Sequence, residues 1–275
     1  MAIRLISSFI GIAVALVVLF LNETFLFPIA IAALIGIILY ELIKAVDGLQ
    51  FWLASAGVML YGCATPFLTF YGLETFVMPV QFLCLMLVFL ELILHSQTFR
   101  IEQIAFMIMS SILVTKSLDC LIHLKNMDDH GMLYVVLGLC GGWIADSGAY
   151  FAGVALGKHK LCPNISPKKT IEGFVGGLLS NAVVFVLICF VYSLIMQKYG
   201  TPIEVRYIEI AVLGLVCAAI SVLGDLCASV VKRQKRIKDY GNIMPGHGGL
   251  MDRFDSVLFV VPSLYVFLSV FSIIK

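Results

Sequence analysis

Long apolar runs recur along this chain, with short polar segments between them. Each run covers about 18 to 25 residues, enough for an α-helix to cross the roughly 30 Å hydrocarbon core of a bilayer. The first run follows Arg4 and has no small-residue cleavage site, which favours a retained span over a signal peptide. The pattern predicts nine helical spans, at residues 3–21, 25–43, 51–71, 76–96, 101–122, 132–157, 173–197, 206–231 and 254–274. The expected fold is all-α and polytopic, with about nine transmembrane helices.

Composition agrees with this pattern and excludes a soluble protein. Hydrophobic residues make up 61% of the chain and charged residues only 13%, whereas about a quarter of the residues in a typical soluble domain are charged. The chain is therefore expected to be an integral membrane protein. A formal net charge of +1 gives no reason to expect a nucleic-acid partner.

The basic residues are distributed unevenly between the two sides of the predicted bundle. With a cytoplasmic N-terminus, 13 of the 18 Lys and Arg residues fall on the cytoplasmic side. Because cytoplasmic segments of membrane proteins are enriched in Lys and Arg, this orientation is favoured. It places the C-terminus outside and both polar loops, 158–172 and 232–253, in the cytoplasm.

The sixth predicted span contains small residues and one acid, in "GLCGGWIADSGAYFAGVALGK". Glycine and alanine at spacings of three and four let neighbouring helices approach closely, so the glycines are expected to serve helix packing. Asp146 is different, because an ionised carboxylate near the bilayer centre costs about 2.5 to 3.5 kcal/mol on insertion scales. A functional role is expected for Asp146.

The following loop reads "CPNISPKKTIEG". Ser166 and Pro167 resemble an N-cap and a first-turn proline, which predicts that the seventh helix opens there. Lys168 and Lys169 would then lie in the first turn, where the helix dipole already favours an anion. A bound phosphate would explain two cations at that position, although a cytoplasmic basic flank would also contain them.

The end of the eighth span carries a polar stripe. Asp225, Ser229, Lys232 and Arg236 are spaced by four, three and four residues, which places them on one helical face. The basic cluster from 232 to 238 is also typical of a flank attracted to anionic headgroups. Asp225 lies deeper in the apolar run, where a structural role is harder to justify.

A glycine-rich turn follows, with Gly246, Gly248 and Gly249 around His247. Glycine accepts positive φ, and successive N–H groups in such a turn can bind an anion. The last helix is expected to begin near Asp252, with Asp255 three residues on. Since the two final helices run antiparallel, Asp225 and Asp252 are expected to meet, and two carboxylates suit Mg²⁺.

The stretch "SVVKRQKRIKDYGNIMPGHGGLMDRFD" is similar to the signature of the phosphatidate cytidylyltransferases, or CDP-diacylglycerol synthases. The similarity extends from about Gly138 to the C-terminus. It suggests variable N-terminal transmembrane helices over 1–130 and a catalytic transmembrane region over 131–275. The signature positions filled here are Ser229, Lys232, Arg233, Lys238, Asp239, Gly241, His247, Gly248, Gly249, Asp252, Arg253 and Asp255.

The resemblance implies a Mg²⁺-dependent reaction of CTP with phosphatidic acid that yields CDP-diacylglycerol and pyrophosphate in a bacterial cytoplasmic membrane, at a site facing the cytoplasm. Asp225 and Asp252 are assigned to the metal, with Asp146 and Asp255 as further catalytic acids. A second cation and a homodimer stay open. The expected substrate-binding residues are Lys168, Lys169, Ser229, Lys232, Arg233, Lys238, Asp239, His247, Gly248, Gly249 and Arg253.

Two other functions use some of the same features. A CTP-dependent polyprenol or lipid kinase would share the membrane, the nucleotide and the metal, but would transfer the γ-phosphoryl group. An ion-coupled transporter would also place acids inside the membrane. A transporter, however, does not need a glycine-rich phosphate turn or two dense polar loops.

Overall fold

The computed structural model describes the backbone of residues 2–244 and 248–274, and their side chains apart from those of residues 2–8 and 10. Long helices account for most of the described chain, and short 3₁₀ turns precede α3 and α4. The helices are α1 (Ala2–Phe20), α2 (Leu26–Ala45), α3 (Trp52–Phe70), α4 (Val77–Leu94), α5 (Ile101–Lys125), α6 (Gly131–Leu156), α7 (Ile171–Lys198), α8 (Tyr207–Gln234), α9 (Met251–Phe254) and α10 (Val257–Val270).

The all-α, polytopic prediction is confirmed. Eight segments of the described chain are helical, long and apolar enough to cross a membrane, the last being Met251–Val270. They correspond to the second to ninth predicted spans. The first predicted span is helix α1, of which Gly11–Phe20 is counted only as a shorter apolar helix. Eight of the nine predicted spans are therefore helices that could cross a membrane, and the first span stays a prediction.

The surface of α7 shows why these helices belong in lipid. Leu179, Val183, Leu187, Phe190 and Leu194 follow one another at spacings of four and three, and all are exposed. In water, such a contiguous apolar stripe would be a binding or aggregation surface. Against hydrocarbon chains it needs no further cover.

The loop between α6 and α7 is an antiparallel hairpin, of β1 (Lys160–Cys162) and β2 (Ser166–Thr170). The prediction that Ser166 and Pro167 open helix α7 is wrong. The helix begins at Ile171, and the side chain of Thr170 caps it by accepting a hydrogen bond from the Gly173 N–H. Two lysines are unfavourable in a first helical turn, and their placement in a strand avoids that conflict.

The chain divides into two compact units. The first comprises Met1–Ile122 with Gln234–Arg253, and the second comprises His123–Arg233 with Phe254–Lys275. The loop after α8 thus groups with the N-terminal helices. The predicted division into a variable part over 1–130 and a catalytic part over 131–275 follows sequence order, and it stays a prediction.

In the first unit, α2 packs against α3 and α3 against α4. Its core is apolar, with Ile35, Leu39, Tyr61 and Val88 fully buried. Three acids are also almost completely buried in this unit: Glu41 near the end of α2, Glu91 near the end of α4, and Asp119 on α5.

In the second unit, α6 packs along α7, and α10 packs against α6. A β-carbon at Gly177 would lie only 2.8 Å from the Ala145 carbonyl oxygen. At Gly148 it would overlap the Ser180 side chain. The expectation that the small residues of this span allow close helix packing is confirmed.

Candidate active site

A carboxylate–ammonium pair of the second unit lies in the last third of α8. Asp225 Oδ2 is 2.6 Å from the Lys169 ammonium, and the two side chains are 26% and 20% exposed. The Ser229 hydroxyl, one turn on, donates a longer hydrogen bond of 3.4 Å to Asp225 Oδ1. The predicted common face is confirmed for Asp225 and Ser229, and Lys169 joins it from the hairpin.

Strand β2 separates the two lysines that the sequence places side by side. Successive side chains of a strand point to opposite faces. Lys168 is exposed, whereas Lys169 is partly buried and its ammonium nitrogen is shielded from solvent. The two lysines are therefore not equivalent, as a shared helical turn would have made them.

Two further carboxylates lie in the same unit, and Asp255 interacts electrostatically with both Asp146 and Asp225. Asp146 on α6 accepts a hydrogen bond of 3.1 Å from the Ser256 hydroxyl. Asp255, between α9 and α10, is only 6% exposed and accepts a 2.8 Å hydrogen bond from the Ser256 N–H. The acid cluster is the name used below for Asp146, Asp225 and Asp255.

Close packing of α8 brings the acid cluster together. A β-carbon at Gly224 would lie 2.6 Å from the Asp255 carbonyl oxygen and 3.2 Å from the Ser256 Cα. Glycine is thus required for α8 to approach this turn. Asp255 lies near enough to Asp146 and Asp225 for their charges to repel, and Lys232 offsets part of that repulsion.

The donor chemistry of the acid cluster fits Mg²⁺. Lys169 pairs with Asp225, and Lys232 interacts electrostatically with Asp255, so three carboxylates are matched with two ammonium groups. Within the described residues, no three His, Cys, Asp or Glu side chains are arranged to hold a metal ion by themselves. Mg²⁺ commonly takes only one or two carboxylates and completes its shell with water and substrate phosphates.

The end of α8 is joined to the hairpin by a second basic residue. The Arg233 Nε donates to the Ile165 carbonyl oxygen at 3.4 Å, and the rest of its side chain is exposed. Helix α8 ends at Gln234, and Arg236 has a left-handed backbone with φ of 56°. The predicted helical face is therefore wrong for Arg236.

The signature loop, residues 238–253, belongs to the first unit. Asp252 lies in the first turn of α9, near the predicted helix start. Its Oδ2 atom accepts hydrogen bonds from the backbone N–H groups of Tyr240 (2.9 Å) and Gly249 (3.0 Å). This carboxylate therefore folds the loop back on itself.

The glycines of the loop have different roles. Gly248 has φ of 88°, so the predicted positive φ is confirmed there. Gly249 does not have a positive φ, so that prediction is wrong for it, and its N–H is already bonded to Asp252. Gly246 and His247 lie outside the described residues. The triphosphate cradle at 247–249 stays a prediction.

Sequence reasoning missed Glu41, which lies near the end of α2 and is 1% exposed. Its carboxylate accepts hydrogen bonds from the backbone N–H groups of Leu250 (3.0 Å) and Met251 (2.8 Å). The available signal was a single acid within an otherwise apolar run, "LIGIILYELIKA". The resemblance places Glu41 in the variable N-terminal helices, outside the expected catalytic region.

The remaining predicted site residues are on the surface of their units. Lys238, Asp239 and Arg253 are exposed, and their substrate roles stay predictions. Asp225 belongs to the second unit and Asp252 to the first. A cation shared by these two carboxylates also stays a prediction.

Comparison with known proteins places this arrangement in a family. The cytidylyltransferase family matches residues 2–271. A phosphatidate cytidylyltransferase of Bacillus subtilis is 37% identical over 195 residues, covering 71% of this chain and 69% of that protein. One from Staphylococcus haemolyticus is 32% identical over 274 residues, covering 98% and 99% of the two chains.

A third relative, the phosphatidate cytidylyltransferase of Staphylococcus epidermidis, is 41% identical over 138 residues. That alignment spans half of each chain. The family match over residues 2–271 includes both the acid cluster and the signature loop. The chain belongs to the cytidylyltransferase family.

Proposed function

We propose that this protein transfers the cytidylyl group of CTP to phosphatidic acid, forming CDP-diacylglycerol and pyrophosphate. The acid cluster beside Lys169, in a chain whose described part contains eight helices long and apolar enough to cross a membrane, is the observation that carries the proposal. The printed names of the relatives support it, since three of them are phosphatidate cytidylyltransferases. The reaction needs a membrane for its lipid and charged groups for its phosphates.

The chemistry is a substitution at the α-phosphorus of CTP. An oxygen of the lipid phosphate forms a bond to that phosphorus, and the bond from it to the bridging oxygen of the β-phosphate breaks, which releases pyrophosphate. The lipid phosphate is already an anion near neutral pH, so a strong general base is not required. The main barrier is the approach of two polyanions, which charge neutralisation and positioning lower.

Mg²⁺ bound at Asp225, with Asp146 and Asp255 nearby, would supply positive charge to the phosphates. In this proposal Lys169 has two functions. Before substrate binds, its ammonium neutralises Asp225 across 2.6 Å. With nucleotide present, the same group is available to a phosphate oxygen, to which an ammonium forms a charge-assisted hydrogen bond.

The basic end of α8 completes the charge balance. Lys232 is half-buried and interacts with Asp255, and exposed Arg233 reaches the hairpin. These groups can hold one phosphate near the acid cluster while the metal holds another. Which of them binds lipid and which binds nucleotide is left to kinetic measurement with each substrate.

The site is further proposed to face the cytoplasm of a bacterial inner membrane, where CTP is available. The support is the excess of Lys and Arg on one predicted side, 13 of 18. Cysteines introduced at Asn164 or Asn242 should react with an impermeant maleimide only in inverted vesicles. Reaction of either cysteine in intact cells would contradict this topology.

The decisive experiment follows two positions of radioactive phosphorus. Purified protein is incubated with phosphatidic acid, Mg²⁺ and CTP labelled at either the α- or the γ-phosphorus. Cytidylyl transfer carries the α-label into the organic phase and leaves the γ-label in pyrophosphate. A lipid kinase would carry the γ-label into lipid and leave the α-label in CDP. A transporter would move neither label into lipid.

A further inference from the structure

Two buried acids of the first unit accept hydrogen bonds from backbone N–H groups of another segment. Glu41 near the end of α2 and Glu91 near the end of α4 are 1% and 0% exposed. Each carboxylate accepts two adjacent backbone N–H groups at the start of another helix. A buried carboxylate is costly unless hydrogen bonds of this kind compensate for lost hydration.

The two acids differ in what they hold. Glu91 Oε2 accepts the N–H groups of Leu53 and Ala54 at 2.6 and 3.2 Å, at the start of the apolar helix α3. Glu41 accepts those of Leu250 and Met251, which directly precede Asp252. One acid therefore anchors a transmembrane helix, and the other anchors the signature loop.

Steric contacts show how closely the loop surrounds Glu41. A β-carbon at Gly241 would overlap the Glu41 carboxylate, lying 2.8 Å from its Cδ and 3.1 Å from its Cγ. At Gly249 it would lie 2.7 Å from Oε2 of the same carboxylate. The signature loop requires small residues at 241 and 249 because Glu41 occupies the space beside them.

We propose that Glu41 is a positioning residue for the transferase reaction: it fixes the signature loop so that Asp252 and Arg253 are correctly placed. The inference rests on the proposed function. Glu41 itself contacts backbone and acts through the loop. The same carboxylate bonds Leu250 and Met251, while Asp252 bonds Gly249 and Tyr240, so the two acids together fix both sides of the loop.

The test compares Glu41→Gln with Glu91→Gln. A glutamine amide has nearly the same shape but only one accepting oxygen. Glu41 accepts one N–H at each of its two oxygens, so Glu41→Gln loses one of the two bonds to the loop. Glu91 accepts both N–H groups at Oε2, so Glu91→Gln can keep both and loses instead the contact of Oε1 with His95 Nδ1 at 2.7 Å. Glu41→Gln should lower kcat about 10- to 100-fold, the usual cost of removing a supporting interaction around a site. Glu91→Gln should melt at a similarly reduced temperature in detergent yet keep kcat within about twofold of wild type.

Hydrogen–deuterium exchange gives a readout that does not depend on turnover. In Glu41→Gln, amide exchange should accelerate about tenfold or more at Leu250 and Met251, because a charged acceptor has been lost. In Glu91→Gln the exchange of Leu250 and Met251 should stay within about twofold of wild type, because Glu91 makes no bond to the loop. Unchanged exchange at 250 and 251 in Glu41→Gln would overturn the proposal, whatever the activity.

A double-mutant cycle separates positioning from general destabilisation. Gly241→Ala should reduce kcat in the wild-type background because its methyl group displaces the Glu41 carboxylate. In a Glu41→Ala background the space is free, so the added methyl group should change kcat by less than about twofold. Additive losses would overturn the proposal, as would equal kcat losses in Glu41→Gln and Glu91→Gln at equal melting temperature.

Failure of the transferase itself is distinguishable from these outcomes. If wild-type protein carries no α-label from CTP into lipid, the proposed function is wrong. The exchange experiment then still decides whether Glu41 holds the loop. If wild type is active and Glu41→Gln keeps full kcat, only the Glu41 inference is wrong.

Discussion

Carboxylates serve different ends in the two compact units. In the first unit, Glu41 and Asp252 accept hydrogen bonds from backbone N–H groups of the signature loop. In the acid cluster of the second unit, Asp225 instead faces the ammonium of Lys169. Backbone bonds fix a fold, whereas a side-chain ion pair can exchange partners when a metal or phosphate arrives.

This difference indicates how the chemical work is divided. Asp225 and Lys169 keep 26% and 20% of their side-chain surface exposed, although the Lys169 ammonium nitrogen itself is shielded. The backbone-bonded acids are committed to positioning. Variants in the acid cluster should therefore reduce catalysis more than stability, and variants in the signature loop should reduce both.

The largest expected effect is from Asp225→Asn. Amide for carboxylate keeps the shape but removes the charge proposed to bind Mg²⁺, so turnover should fall at least about 100- to 1,000-fold. The change also leaves the partly buried Lys169 ammonium without its anion, so some stability should be lost. Radiolabel transfer and detergent melting are measured together.

A double variant separates the two causes. Asp225→Asn with Lys169→Gln removes both charges, so melting temperature should recover toward wild type while turnover stays lost. Recovery of turnover along with stability would mean that the pair is only structural. The comparison between the units would then fail at its central point.

The second prediction concerns Asp252→Asn in the signature loop. The amide oxygen can take the place of Oδ2 and accept from both Tyr240 and Gly249, but a neutral acceptor forms weaker hydrogen bonds than a carboxylate. Turnover should fall about 10- to 100-fold, and the free energy of unfolding should decrease by about 1 to 3 kcal/mol. Asp239→Asn, at an exposed loop position, is the control for stability. Unchanged melting of Asp252→Asn would argue against its role in folding the loop.

The third prediction uses the two adjacent lysines of β2. Lys169→Ala removes the partner of Asp225 and a proposed phosphate contact, so kcat/KM should fall roughly ten- to 150-fold. Lys168→Ala changes an exposed side chain and should cost less than about fivefold. Equal losses in the two variants would show that the hairpin does not distinguish them.

The smallest expected effect is from Thr170→Ala. It deletes the cap of α7, whose hydroxyl accepts the Gly173 N–H, and should cost about 1 kcal/mol of stability. Turnover should stay within about twofold, because Lys169 keeps its strand position. Ser193→Ala, at an exposed site later in α7, is a matched control. A large loss of turnover in Thr170→Ala would mean that the cap sets the position of Lys169.

The pattern of apolar and polar residues was enough to predict the membrane-spanning helices. Helices in hydrocarbon must satisfy their backbone hydrogen bonds internally, so the length and apolarity of a run nearly determine its structure. Eight of the nine predicted spans were recovered for this reason. The signature and the acid at 225 were likewise readable, since a carboxylate in an apolar run has few structural reasons to be there.

Tertiary structure decided which charged groups meet. Lys169 reaches Asp225, 56 residues away, only because residues 160–170 form a hairpin instead of the first turn of α7. Glu41 bonds Leu250 across 209 residues of sequence. Local periodicity carries information about neighbours three or four positions away, whereas these contacts depend on how whole helices and loops pack. The sequence by itself therefore determined the spans, the family and the candidate chemistry, and tertiary packing alone decided which acids position the loop and which remain available to a ligand.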